Sequence, residues 1–489
     1  MIDVENPTIL NLIPNYEFEE RWEKLLLASE IVDATFNYFQ IERDLKDKGR
    51  RPWNLKNMVK LMFLASVEKN ENSVKISDDA KTDIFYHALC GGIMPSDRSI
   101  RDYRKIYKSI YQLILSFTLI TTRLMDLSSF YHVSADGTIK LACNSPFNTI
   151  KRKDIHLLIK HYMVEKLTKK EIKKLRKPAK KFLYKNKLSP NEKINILFDW
   201  LDKLDLTGQD SLPLFDVDAR WMKPKDKGQK YKKLAYNVQV CTDTESKLIC
   251  GINVVQFPTD HYQIPALLDQ TIQNLQIKPS IVSADTIYAT ISNFFYLKLQ
   301  GISARIPTRE QNKKFIKNPS DNPYAKEYFE FDEIRNVYIC PQKHELTPDG
   351  VYDAPPEKGG FNKKKIVYSN HAACQNCPVK SKCTKADHRT ITRYLHELSY
   401  EVEKIMDTPE GQEEYKKRSR TVESHNGTFR RIYHYDELPL TGLETIQGLM
   451  FMIASAYNAI RIYNITKEKG LNLYEVIKFI RLIGLRIIN

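Results

Sequence analysis

The chain has 489 residues, of which 42% are hydrophobic, 11% aromatic and 28% charged, a balance that excludes a disordered chain and fits about three folding units of roughly 150 residues each. Its 76 Lys and Arg outnumber its 60 Asp and Glu for a net charge of +16, which points to a polyanion, nucleic acid first, rather than a small acidic substrate. No stretch reaches the roughly 18 apolar residues of a membrane helix and the start, Met1 to Pro7, lacks the apolar core of a secretory signal, so the expected location is cytoplasmic.

Apolar residues recur at helical spacing over Phe18 to Phe36, Leu55 to Val67 and Ile100 to Leu124, predicting an all-helical unit over residues 1–127. Pro95, Ser96 and Asp97 form a helix-start signal before the basic run Arg98 to Lys105; a plain bundle helix and a helix entering a DNA groove both fit it. From Phe130 the pattern becomes extended, and a strand ending in the turn Asp136-Gly137-Thr138 delivers Asp136. Residues 151–190 then carry 15 Lys and Arg against Asp154, Glu165 and Glu171. A charge run is ordinarily a solvated helix face, but a tract holding most of the net charge favours phosphate contact, with Lys169, Lys170, Lys173 and Lys174 as candidates.

Further on, Ala235 to Cys241 and Lys247 to Gln256 flank a polar turn, the pattern of a hairpin in which Asn237 and Gln239 share a face. A helix fits Ile264 to Leu275, and Pro279 to Asp285 reads as a second strand ending in an aspartate. Another helix over Ser292 to Leu299 and a strand over Ile302 to Pro307 follow. Residues 310–400 read as irregular, and the chain returns to helix after Pro409 through Glu423 and again from Leu443 to Tyr463.

An aspartate at a strand end is ordinarily a turn residue. The order strand with Asp136, hairpin, helix, strand with Asp285, helix with Glu423, in a basic protein, instead matches the mixed sheet of ribonuclease H-like nucleases. The expected fold class is therefore α/β (mixed), with the two aspartates on adjacent central strands and the glutamate approaching from a helix. Three carboxylates suit two Mg²⁺ or Mn²⁺ ions, hard cations that prefer oxygen ligands and that sit about 4 Å apart across a scissile phosphate. Separately, Cys340, Cys374, Cys377 and Cys383 offer four thiolates in a CxxC-type arrangement, with His344 and His371 as substitutes. Tetrahedral Zn²⁺ fits them, an iron–sulfur cluster is compatible, and ordinary structural cysteines are the plain alternative. Cys90, Cys143, Cys241 and Cys250 lie in apolar or strand contexts and read as buried thiols.

Over about residues 50 to 465 the sequence resembles the bacterial insertion-sequence transposases of the Asp-Asp-Glu (DDE) type, in the group with a cysteine-bearing segment before the glutamate. The segments that carry the resemblance are Arg51 to Trp53, Pro95 to Arg104, Ser134 to Lys140 with Asn144 and Ser145, Asp216 to Arg220, Tyr236 to Gln239, Ser283 to Tyr288 and Arg420 to Gly427. The resemblance implies a DNA transposase that nicks element ends hydrolytically and joins the freed 3′-OH to target DNA. Its implied catalytic metal ligands are Asp136, Asp285 and Glu423, and it implies double-stranded DNA as partner and a homodimer on that DNA. A nuclease without strand transfer and a non-catalytic DNA-binding descendant are the alternatives. The expected division is a DNA-binding helical domain at 1–127, a first part of the catalytic core at 128–309 including the basic tract 151–190, a cysteine-rich insertion at 310–400, and C-terminal helices completing the core at 401–489.

Two departures stand out. Relatives commonly carry Tyr seven and Arg four residues before the glutamate and Lys seven after; here those positions are Lys416, Ser419 and Arg430, with Tyr415 and Arg418 one residue early. Relatives also often have Gly where this chain has Ile287 before Tyr288. At about 100° per residue, Arg420 and Arg430 share the face of Glu423 whereas Arg418 lies about 140° away. Arg420 and Arg430, with Asn237, Gln239 and Tyr288, are accordingly expected on the DNA, and Arg418 away from it.

Overall fold

The computed structural model describes residues 16–42, 52–185, 187–224, 231–308, 311, 322–354, 363–431 and 437–485. It opens with six helices: α1 (Tyr16–Tyr38), α2 (Leu55–Val67), α3 (Ser73–Thr82), α4 (Ile84–Cys90), α5 (Asp97–Ile106) and α6 (Lys108–Leu124). Polar side chains cap four of them, because Asn54, Asn72, Asp83 and Ser96 each accept a backbone N–H of the first turn that the helix itself leaves unpartnered.

A long strand, β1 (His132–Ala142), follows. The basic tract is a side module closed at its base by an antiparallel pair, β2 (Thr149–Lys151) on β3 (Ser211–Pro213). Between them run α7 (Arg152–Met163), α8 (Lys169–Lys174), α9 (Lys177–Leu183) and α10 (Pro190–Thr207) around their own core of Ile155, Leu158, Phe182, Leu197 and Trp200. The chain returns to the main sheet with β4 (Arg220–Met222), β5 (Lys233–Asp243) and β6 (Ile249–Val255), then α11 (Ile264–Leu275), β7 (Ile281–Ala284), α12 (Ile291–Gln300) and β8 (Ser303–Arg305).

Residues 330–395 form a second, antiparallel sheet of β9 (Glu330–Asp332), β10 (Val337–Ile339), β11 (Glu345–Ala354), β12 (Lys363–Ser369) and β13 (Thr390–Leu395). Two short helices, α13 (His371–Gln375) and α14 (Lys380–Cys383), interrupt it. The expectation of irregular chain over 310–400 is thereby corrected for the described part. The last elements are α15 (Glu397–Met406), α16 (Pro409–Arg431), β14 (Glu437–Leu438), α17 (Leu443–Glu468) and α18 (Leu473–Gly484).

The main sheet decides the geometry of the site. Its strands run in the order β4-β5-β1-β7-β8, with β6 also on β5 and β14 also on β1. β6, β5 and β1 pair antiparallel in turn, while β1, β7 and β8 are parallel, so the fold is mixed α/β. One continuous apolar core joins α1 through α6, both halves of this sheet, and α17 and α18. No helix among the described residues is long and apolar enough to cross a membrane. Of the four cysteines expected to be buried, Cys90, Cys241 and Cys250 are, but Cys143 is exposed because it follows the last residue of β1.

Candidate active site

Asp136 lies inside β1, not at its end as expected, and Gly137 and Thr138 continue the strand instead of turning. The reason is pairing: β5 matches β1 residue by residue from Val133↔Asp243 to Leu141↔Ala235, which no turn at Gly137 would allow. On the other edge β7 leaves β1 after Ala135↔Ala284, and β14 joins it at Leu141↔Glu437. Asp136 thus sits where one parallel neighbour departs and before the next arrives, the kind of crevice at strand ends where ligands bind in α/β sheets. Asp285 follows the last residue of β7 and caps the 3-10 turn Thr286–Tyr288, its Oδ1 accepting the Ile287 N–H at 2.8 Å. The two aspartates therefore come from neighbouring parallel strands.

Helix α16 crosses above them. Its glycine at 411 lies against the preceding helix, where a Cβ would stand 2.1 Å from the Ile405 carbonyl oxygen. Glu414 pairs with Arg305 of β8 at 2.5 Å, and Thr421 is buried. Residues 414, 418 and 421 recur at helical spacing, so this face meets the sheet, and Arg418 with it. Arg418 Nη2 donates to Asp136 Oδ1 at 3.2 Å and lies 4.0 Å from Asp285 Oδ2. Burial by itself would push this guanidinium down, but Asp136, Tyr415 and Asp285 together hold it above its ordinary value. This corrects the expectation that Arg418 points elsewhere. The expectation measured angles from Glu423, whereas the face that matters is the one the Arg305–Glu414 pair turns toward the sheet. Glu423 belongs to α16, but the side chains of Arg420, Glu423 and Arg430 lie outside the described residues.

Asn237, Gln239 and Tyr288, expected on DNA, are instead fully buried. Tyr288 Oη donates to Gln239 Oε1 at 2.5 Å, and Asn237 Nδ2 and Gln239 Nε2 donate to Asp260 Oδ1 at 2.6 and 2.7 Å. The shared face of Asn237 and Gln239 was legible in the sequence, but its direction, inward onto Asp260, was not. Asp260 carried no signal of its own, being one acid in a loop.

In the basic module Lys169, Lys170, Lys173 and Lys174 are all exposed, as phosphate-binding side chains need to be. The four late cysteines gather around one pocket with His344 and Arg389. The Cys383 thiol is raised by burial and by Cys374, Cys377 and Cys340, with Arg389 opposing. Backbone N–H groups of His344 and Arg389 donate to Cys340 Sγ at 3.3 Å and Cys374 Sγ at 3.5 Å, donors of the kind that suit thiolates. Even so, among the described residues no group of three or more His, Cys, Asp or Glu is placed to hold a metal ion. At the aspartates the fit is better: carboxylates from two strands already converge on one cationic group, Arg418.

No curated protein matches the chain. Among solved structures, a piggyBac transposase synaptic complex with hairpin DNA, studied by cryo-EM, is similar at 11% identity and a TM-score of 0.31 over 95% of this chain and 78% of that one. At that score the likeness says nothing of a shared fold or activity. The family described as transposase DDE domain matches residues 339–463, about a quarter of the chain, a stretch that takes in the four late cysteines and Glu423 but not Asp136 or Asp285. Over that stretch the chain is similar to the transposase DDE domain.

Proposed function

We propose that the protein is the transposase of a bacterial insertion sequence, cutting element ends by hydrolysis and joining the freed 3′-OH to target DNA, with Asp136, Asp285 and Glu423 as its acidic triad on a ribonuclease H-like sheet. The observation that carries this reading is the convergence of Asp136 and Asp285, from adjacent parallel strands, on the guanidinium of Arg418 beneath the helix that contains Glu423. The antiparallel β6-β5-β1 set continued by parallel β7 and β8 supports the ribonuclease H-like assignment. The net charge of +16 supports a DNA substrate.

In the first step a water oxygen bonds to phosphorus, the P–O3′ bond breaks, and the proton balance leaves a 3′-OH and a 5′-phosphate. In the second the 3′ oxygen attacks a target phosphodiester and displaces its 3′ oxygen, one ester exchanged for another, so no external energy source is required. Two Mg²⁺ or Mn²⁺ ions held by the triad would, when bound, neutralise charge at the scissile phosphate. Arg418 holds the carboxylates in register and offers a cation beside the phosphate path. The module of α7 to α10 binds phosphates away from the reacting atoms, and pairing of two ends favours a homodimer on DNA. Location in the cytoplasm on the nucleoid follows from the same reading. A structural Zn²⁺ on Cys340, Cys374, Cys377 and Cys383 rests on their gathering at one pocket.

Incubating the protein with Mg²⁺ and labelled element-end DNA tests the proposal. Wild type is expected to give cut and joined products, and Asp136→Asn, Asp285→Asn and Glu423→Gln are each expected to lose at least a hundredfold in cleavage while still shifting the DNA. Cut products without joined ones would leave a nuclease, a shifted band without cleavage a binding protein, and full cleavage by any variant would remove that residue from the triad.

A further inference from the structure

Beneath the two aspartates lies a buried carboxylate that the reaction scheme does not use. Asp260, in the loop between β6 and α11, is 2% exposed. A buried carboxylate is tolerated only when hydrogen-bond donors surround it. Two side-chain amides do so here, Asn237 Nδ2 at 2.6 Å and Gln239 Nε2 at 2.7 Å, both on Oδ1.

The consequence passes to Gln239. Gln239 turns its NH₂ toward Asp260 Oδ1 and so its carbonyl the other way. That carbonyl accepts the Tyr288 hydroxyl at 2.5 Å. Tyr288 closes the 3-10 turn that Asp285 opens, its N–H bonded to the Asp285 carbonyl at 3.0 Å. Anchoring the far end of the Tyr288 ring therefore anchors the turn that presents Asp285. The same amide and carboxylate also press on the other catalytic strand. Gly137 faces Gln239 across β1 and β5, and a Cβ there would stand 2.3 Å from Gln239 Nε2 and 2.4 Å from Asp260 Oδ1. A glycine next to Asp136 is what lets the group sit against the backbone.

We propose that Asp260 is a positioning residue which, through Gln239 and Tyr288, sets the Asp285 turn against the strand of Asp136 and so determines how tightly the two aspartates take a divalent cation. The role rests on the triad reading above. It differs from mere core filling in what it predicts, because a packing role alters stability, whereas a positioning role alters metal affinity in a protein that remains folded.

The test uses the full chain without DNA and follows Mn²⁺ binding through the electron paramagnetic resonance signal of free Mn²⁺, with thermal unfolding measured alongside. Asp260→Asn can turn its amide and loses the fixed acceptor, while Tyr288→Phe deletes one hydroxyl and leaves the ring. Each is expected to weaken Mn²⁺ binding roughly tenfold, the usual scale for partners that orient metal ligands, with a melting temperature within a few degrees of wild type. Wild-type Mn²⁺ affinity in folded Tyr288→Phe overturns the proposal, and that variant decides the matter if Asp260→Asn does not fold. Asp136→Asn and Asp285→Asn serve as references. If they too bind Mn²⁺ as wild type does, the triad reading has failed, a result distinct from failure of the positioning role.

Discussion

His132 lies four residues before Asp136 on β1 and so on the same face, under α16. It is buried, and neither ring nitrogen has a hydrogen-bond partner among the described residues. Burial takes its pKa from 6.5 down to about 4, with Lys417 and Arg305 adding to the effect and Glu414 opposing it. Because the folded value is the lower one, the neutral ring is no burden above pH 6.5, and stability is lost as the pH falls from 6.5 toward 4. The loss amounts to about 3 kcal/mol at the acid end. His132→Gln is expected to remove that share, so urea-unfolding free energies of the variant and wild type should converge or cross as the pH drops through this window. Parallel curves would show that His132 is not the titrating group.

At the scale of elements, the basic module is built to present charge without depending on it for folding. The α8 helix is only six residues long and is held by a capping box between Thr168 and Glu171, while Lys169, Lys170, Lys173 and Lys174 stand in solvent. Replacing those four lysines with Gln should leave the melting temperature unchanged. It should also reduce the slope of log affinity against log salt by about 1 for each phosphate that the variant no longer neutralises. Gel shifts of element-end DNA over a range of KCl measure it, and an unchanged slope would return the tract to an ordinary solvated face. The charge was legible in composition alone. That the four helices form a side module with its own core was not, since β2 and β3, which close it at Thr149↔Pro213 and Lys151↔Ser211, are far apart in the chain and too brief to announce a strand.

Over the whole molecule, α17 ties the N-terminal helices to the sheet. Asn458 donates to Thr118 of α6 at 3.1 Å and to the Ile249 carbonyl at 3.0 Å, and accepts the Ile249 N–H at 2.9 Å. Gln447 does the same for β6 further along, bonding Ile252 O and Val254 N at 2.7 Å each. An exposed strand edge invites pairing with other chains, and here side chains of a helix satisfy it. Asn458→Leu would strand the backbone groups of Ile249 in the core, at an expected cost of about 3 kcal/mol. Denaturant unfolding measures the loss, and a change below about 0.5 kcal/mol would mean that the β6 edge finds other partners.

Local pattern alone settled the elements whose residues make their own case. The hairpin of β5 and β6 is announced by two extended runs around a polar turn, and α11 matches its expected bounds, Ile264 to Leu275, because apolar spacing and a following left-handed Gln276 are local properties. The order of the acids was legible for the same reason. Where side chains point was decided only by tertiary packing. Arg418 reaches the aspartates because the Arg305–Glu414 pair sets the rotation of α16, and Asn237, Gln239 and Tyr288 turn inward because Asp260 waits beneath them. The sheet of β9 to β13 escaped detection because its long strand β11 is mostly exposed and interrupted by Pro348 and Gly350, so the apolar alternation that marks a strand is missing. Periodicity fixes an element and its faces, but which face is buried depends on partners tens to hundreds of residues away, and that information exists only once the chain has folded.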